Sequence, residues 1–167
     1  MYLVEEAKVV NLLAPKDISA GAHSTAYVNM KNYDHVDLLV TMGATGAIGS
    51  SVAVTVKQAV NTSGSSSAAL NFPHYYQNVA ALGSSSTAND TYVKQSIASS
   101  STNAFNLTPS TNNVQYIIPI DASLLSADSS MDCVGIGVDT TSAATLCGVQ
   151  AILTGARYKS DSPPSAL

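Results

Sequence analysis

The stretch TMGATGAIGSSVAVTVKQAV, residues 41–60, decides how this chain is read. Gly43, Gly46 and Gly49 follow directly on the apolar run at residues 36–42. Two kinds of protein open this way. In a dinucleotide site the glycines lead into a helix whose first amides and dipole meet a pyrophosphate. In a β-hairpin they supply the positive φ of a tight turn.

The residues after Gly49 separate the two. Val52, Val56 and Ala59 make a helical stripe, but Val54 falls off it. A period of two places Val52, Val54, Val56 and Val60 on one face, with Ser51, Thr55 and Lys57 on the other. β-branched side chains lose rotamer freedom in a helix and suit a pleated strand. A dinucleotide site also needs an acid about 20 positions on for the ribose, and no Asp or Glu lies between Asp37 and Asp90. The one Tyr-x-x-x-Lys pair, Tyr27 and Lys31, lies upstream of the glycines. The segment is therefore read as a hairpin turn between two antiparallel strands.

Extended segments continue in both directions. Residues 25–30, 35–42, 51–60, 68–79, 91–99, 104–107, 114–120, 131–138 and 146–154 read as strands, separated by Ser, Gly, Asn and Pro clusters. Residues 122–125 form a single helical turn that Asp121 is placed to cap. Short strands at this spacing, with no amphipathic helix of useful length, predict an all-β antiparallel β-sandwich, jelly-roll-like. Residues 1–20 are an extended N-terminal arm or the first strand, 21–158 the sandwich, and 159–167, with Pro163-Pro164, a loose C-terminal tail.

Composition narrows the function. Of 167 residues, 46% are hydrophobic and only 11% charged, against about 25% charged in an ordinary soluble domain. The net charge is −4, and no Lys or Arg occurs from Gln95 to Ala156. A nucleic-acid partner needs clustered cations to neutralise phosphates, so nucleic acid and anionic membrane surfaces are excluded as expected partners. No run reaches the length of a membrane span. The start of the chain, with Glu5 and Glu6, lacks the pattern of a secretory leader, which predicts a protein made in a cytoplasm and kept inside the cell or released by lysis. Cys133 and Cys147 sit in apolar segments and read as buried free thiols.

No catalytic, cofactor-binding or metal-binding set is expected. His23, His35 and His74 lack ligand spacing; His35 and Asp37 share one strand face, but two ligands do not make a site. Asp121, Asp128, Asp132 and Asp139 lack the short spacing of a calcium loop. No Gly-x-Ser-x-Gly elbow occurs. Phe72, His74, Tyr75 and Tyr76 allow a sugar-stacking platform, although the chain has no Trp. The alternative is that Phe72 and one tyrosine enter the core while the other tyrosine lies at a subunit contact.

The order of segments resembles small head proteins of tailed phages. The residues that carry the resemblance are AYVNMKNYDHVDLLV at 26–40, GATG at 43–46, TVKQA at 55–59, ALNF at 69–72, Tyr75-Tyr76, IPIDASLL at 118–125 and CVGIGV at 133–138, and it spans about residues 20–155. The resemblance implies a capsid cement, or decoration, protein on the outside of the shell, with a jelly-roll body. Its implied partners are the major capsid protein and further copies of itself, as a trimer or dimer, with no cofactor. The expected subunit or capsid interface comprises Tyr2, Leu3, Val4, Val9, Val10, Leu12 and Leu13 of the N-terminal segment, together with Tyr75 and Tyr76. The alternative readings are a carbohydrate-binding module and a head-fibre or tail component of a virion.

Overall fold

The computed structural model describes residues 3–44, 52–78, 90–97, 103–107, 113–126, 130–157 and 164–167. Among them a single helical turn, α1 (Leu3–Glu6), precedes twelve strands. These are β1 (Lys8–Asp17), β2 (His23–Ser24), β3 (Val28–Asn29), β4 (Tyr33–Met42), β5 (Val52–Ala59), β6 (Ala68–Ala69), β7 (His74–Asn78), β8 (Tyr92–Ser96), β9 (Ala104–Leu107), β10 (Val114–Asp121), β11 (Cys133–Val138) and β12 (Leu146–Ala156). The first sheet runs β1-β12-β4-β10-β7-β8. The second runs β2-β11-β5-β6, with β3 also on β11 and β9 also on β5. All recorded pairs are antiparallel.

The pairing is nested. β1 pairs with β12, β2 and β3 with β11, β4 with β10, and β5 with β9. First therefore meets last, and each later strand meets an earlier partner, which is one long hairpin rolled across two sheets. The β4–β12 and β11–β5 pairs then join the roll into a sandwich. This is a jelly-roll connectivity, and β7 with β8 widens the first sheet beyond it.

Alternation builds the core. Along β4, Val36, Leu38, Val40 and Met42 are all completely buried, as are Val52, Val54 and Val56 on β5. Ile118 and Ile120 of β10, Val134 and Ile136 of β11 and Val149 and Leu153 of β12 complete the same cluster. Cys133 and Cys147 are buried and unpaired, in different sheets. Burial pushes the Cys147 thiol up to about 11, so it remains protonated and unreactive at neutral pH.

Several details depart from expectation. β4 and β5 are not a hairpin: they lie in different sheets, because β12 and β10 already occupy both edges of β4. The glycine-rich connection crosses from one sheet to the other, with Gly46 and Gly49 outside the described residues. Strand β5 ends at Ala59, leaving Val60 43% exposed and off the buried row. Residues 68–79 are not one strand, since β6 and β7 belong to opposite sheets with Leu70 and Phe72 buried between them. Asp121 precedes a 3-10 turn at Ala122–Leu124 but makes no side-chain cap there.

The tail is not loose at its end. Ala166 is 1% exposed within the main core cluster, and its carbonyl accepts from the Asn29 amide at 2.9 Å. The Pro164 carbonyl accepts from the hydroxyl of Tyr33, a fully buried ring at the start of β4. A buried hydroxyl left without a partner costs about 1–3 kcal/mol. A chain ending at residue 163 is therefore expected to lose about 2 kcal/mol in urea unfolding; an unchanged midpoint would show that the docked end contributes nothing.

Candidate interaction surface

The outward residues of the first sheet follow from the same alternation. On β4 these are His35, Asp37, Leu39 and Thr41; on β10, Gln115, Ile117, Pro119 and Asp121. Cross-strand register sets them in rows. In one row Gln150, Leu39, Ile117, Tyr76 and Lys94 stand side by side. In the next, Val9, Ile152, Asp37 and Pro119 do so. Leu39, Ile117, Pro119, Ile152 and Tyr76 are half-buried, and Val9 is 42% exposed. The result is a set of partly exposed apolar side chains spread over five strands, about 20 Å at the usual strand spacing, and interrupted by Gln150 and Asp37; this set is called the apolar band below.

Polar groups bound the band at both ends. At one end Tyr92 donates through its hydroxyl to Gln115 Oε1, and Gln115 Nε2 donates to Thr41 Oγ1 at 3.1 Å. At the other, the imidazole of His35 lies between two carboxylates. Its Nδ1 is 2.8 Å from Asp121 Oδ1 and its Nε2 is 3.1 Å from Asp37 Oδ1. Both ring nitrogens face acceptors, so the arrangement is complete only when the ring is an imidazolium donating twice. The two carboxylates stand on opposite sides of the ring, so the trio does not converge on one point as metal ligands would. No group of three metal-ligating side chains is placed to hold an ion among the described residues.

Burial of the His35 ring opposes its charge, but the hydrogen bonds and negative charges of Asp121 and Asp37 outweigh it, and its pKa is raised. His74, beside Tyr76, moves the other way: burial first, then the Lys94 cation, lowers its pKa against the pull of Asp121.

The expected interface residues separate. Tyr2 lies outside the described residues, and Val4 belongs to α1 with its side chain undescribed. Leu3 is 59% exposed. Val10 and Leu12 are buried in the chain's own core, and Leu13 packs against it, because residues from Lys8 onward are a strand of the sandwich. Val10 and Leu12 thus face the chain's own core, whereas Leu13 keeps part of its surface exposed. Val9 points outward, onto the band. Tyr75 and Tyr76 take opposite faces of β7: Tyr75 stacks on Phe105 with ring centroids 4.1 Å apart, whereas Tyr76 meets His74 edge-to-face at 5.4 Å. Phe72 also enters the core, at 5.9 Å from Phe105. The tyrosines therefore form no common platform.

Sequence reasoning missed Asp121 as the partner of His35 and missed Leu39, Ile117 and Ile152 as surface residues. No local signal marks either; both depend on register between strands far apart in the chain. The edge strand β1 has two register irregularities and Pro15, features that discourage another strand from adding to it. No protein-family profile and no curated protein sequence matches the chain.

The His35 clasp predicts a pH effect. A raised folded pKa means that its stabilisation is fully present below about 6.5, the unfolded value, and is lost as pH rises through the folded value. His74 contributes with the opposite sign, so the comparison of native protein with His35→Gln isolates the clasp. The gap between their urea midpoints is expected to be wide at pH 5.5 and to shrink by pH 8.5. A gap independent of pH would rule out a charged His35.

Proposed function

We propose that this chain is a structural virion protein that coats the outside of a tailed-phage capsid and ties neighbouring capsomers together, with the apolar band of the first sheet as its contact surface. The observation that carries this reading is the band itself, partly exposed Leu39, Ile117, Pro119, Ile152, Tyr76 and Val9 set side by side with charged groups on one sheet face of a jelly roll. Jelly rolls are a common architecture of viral shell proteins and of lectins. Contiguous apolar patches larger than a few hundred Å² are uncommon on solitary proteins and mark sites of association.

The physical logic of the role is mass action. A protein that binds only the assembled shell stabilises that shell against its disassembled parts. An ordinary contact buries about 800 Å² on each partner, and copies joined to one another on a symmetry axis add strength through effective concentration. The resemblance in segment order to phage head proteins points to the major capsid protein as the partner. For the sugar-binding alternative, only Tyr76 of the tyrosine pair is on the outer face, since Tyr75 packs partly buried against the core.

Leu39→Lys and Ile117→Lys place a cation in the middle of the band without touching the core. Each is expected to weaken co-sedimentation with capsids lacking this protein by at least about tenfold, or about 1.4 kcal/mol, while leaving the unfolding midpoint close to that of the native chain. Full occupancy by both folded variants would remove this face from the account.

A further inference from the structure

The first sheet ends in strand β1 on one side and β8 on the other. Register irregularities and Pro15 protect the edge of β1. Strand β8 has neither device. It pairs with β7 at all five of its residues without a register shift, and no described strand lies on its far side. Its sequence, YVKQS from Tyr92 to Ser96, carries a single charge. The Ile97 amide donates to the Pro73 carbonyl at 3.0 Å, on the β7 side. Backbone groups alternate along an antiparallel strand, so Gln95 and Val93 also turn theirs toward β7. Tyr92, Lys94 and Ser96 turn theirs to the open edge.

The side chains of β8 divide between the two faces. Tyr92 and Lys94 are on the outer one, where Tyr92 bonds Gln115 and Lys94 stands beside Tyr76. Val93 is on the inner side with Gln95, whose cross-strand neighbour Tyr75 packs against the core. Val93 nevertheless stays 47% exposed, at the rim of the sandwich. An exposed apolar side chain and a row of unpaired backbone groups on one edge are a template for one more strand.

We infer that the added strand is β8 of a second copy, antiparallel to the first about a two-fold axis at Val93. Self-complementarity argues for it. Residues turned to the open edge have to meet residues turned the same way, which confines a symmetric pairing within β8 to centres at Val93, Lys94 or Gln95. A centre at Lys94 opposes two ammoniums. One at Gln95 pairs two amides and calls on Ile97, which already packs against its own core. The centre at Val93 brings the two exposed valines into the closest kind of antiparallel pair, about 4.5 Å between Cα atoms. It also sets each Tyr92 opposite Lys94 of the other copy, an aromatic ring beside a cation. Such two-fold, self-matching contacts are the commonest in homo-oligomers. The axis is normal to the sheet, so both copies turn their apolar bands to one side. That last consequence bears on the capsid reading, whereas the pairing itself does not depend on it. A contact of one short strand falls below the standard interface size, which sets a weak Kd of about 100 µM in solution. Copies held side by side on a shell gain from effective concentration.

The test is sedimentation equilibrium of the full chain over about 5–500 µM, where a monomer–dimer equilibrium is expected. Lys94→Pro removes an amide turned to the open edge and leaves the bonds to β7 in place; it is expected to weaken the dimer at least about tenfold. Single cysteines read the register under mild oxidation with oxidised glutathione, since Cys133 and Cys147 are buried. Val93→Cys is expected to form a disulfide-linked dimer. Gln95→Cys is expected to stay monomeric, because its twin lies about 13 Å away, beyond the reach of a disulfide. Where Lys94→Pro fails to fold, the cysteine pair decides. A monomer at every concentration, a trimer in place of a dimer, or undiminished association of folded Lys94→Pro would overturn the pairing. So would cross-linking of Gln95→Cys as fast as Val93→Cys, or of neither. None of these measurements involves a shell, so their failure would leave the capsid reading standing.

Discussion

Strand β4 is held on both edges, by β12 over nearly its whole length and by β10 from His35 to Met42. Everything else in the molecule depends on that register. It turns Val36, Leu38, Val40 and Met42 into the core and places His35, Asp37, Leu39 and Thr41 outside. A slip of one residue would exchange the two sets, burying an imidazole and a carboxylate and exposing four apolar side chains. With both edges of β4 occupied, the chain has to leave for the other sheet after Met42. That forced crossing makes the topology a roll instead of a series of hairpins.

The same register composes the outer face. Because Leu39 stands beside Ile117, and Ile117 beside Tyr76, apolar side chains of three strands lie next to one another on that face. The polar groups at its ends satisfy one another: His35 between Asp37 and Asp121, and Gln115 between Tyr92 and Thr41. Groups already paired among themselves do not compete for a partner's hydrogen bonds, but the clasp carries two carboxylates to one imidazolium, and covering that charge would be costly. The few net charges of the chain suit such a surface, since long-range repulsion between copies is small.

Much of the fold was legible because alternation is a local signal. Residues 35–42, 52–59 and 114–120 show it plainly, and β-branched valines at 52, 54 and 56 decide strand against helix. The sheet to which each strand belongs was not legible. A glycine-rich link fits a tight turn and a crossing between sheets equally well, and the occupied edges of β4 are a property of residues more than seventy positions away. The surface site was legible only in fragments. Val9 and Tyr76 were expected at an interface and do face outward, whereas Val10 and Leu12 are drawn inward by the strand period. Asp121 looked like a helix cap, and its pairing with His35 rests on contact across 86 positions. Docking of the chain end at Ala166 depends on a slot built by β3 and Tyr33, which no pattern in the tail announces.

The central functional claim concerns where and in what number the protein acts. Quantitative mass spectrometry of purified virions, with the major capsid protein as internal standard, measures its copy number. A shell-coating protein is expected in numbers of the same order as the major capsid protein. A count matching a single tail vertex, or none above background, would contradict the account.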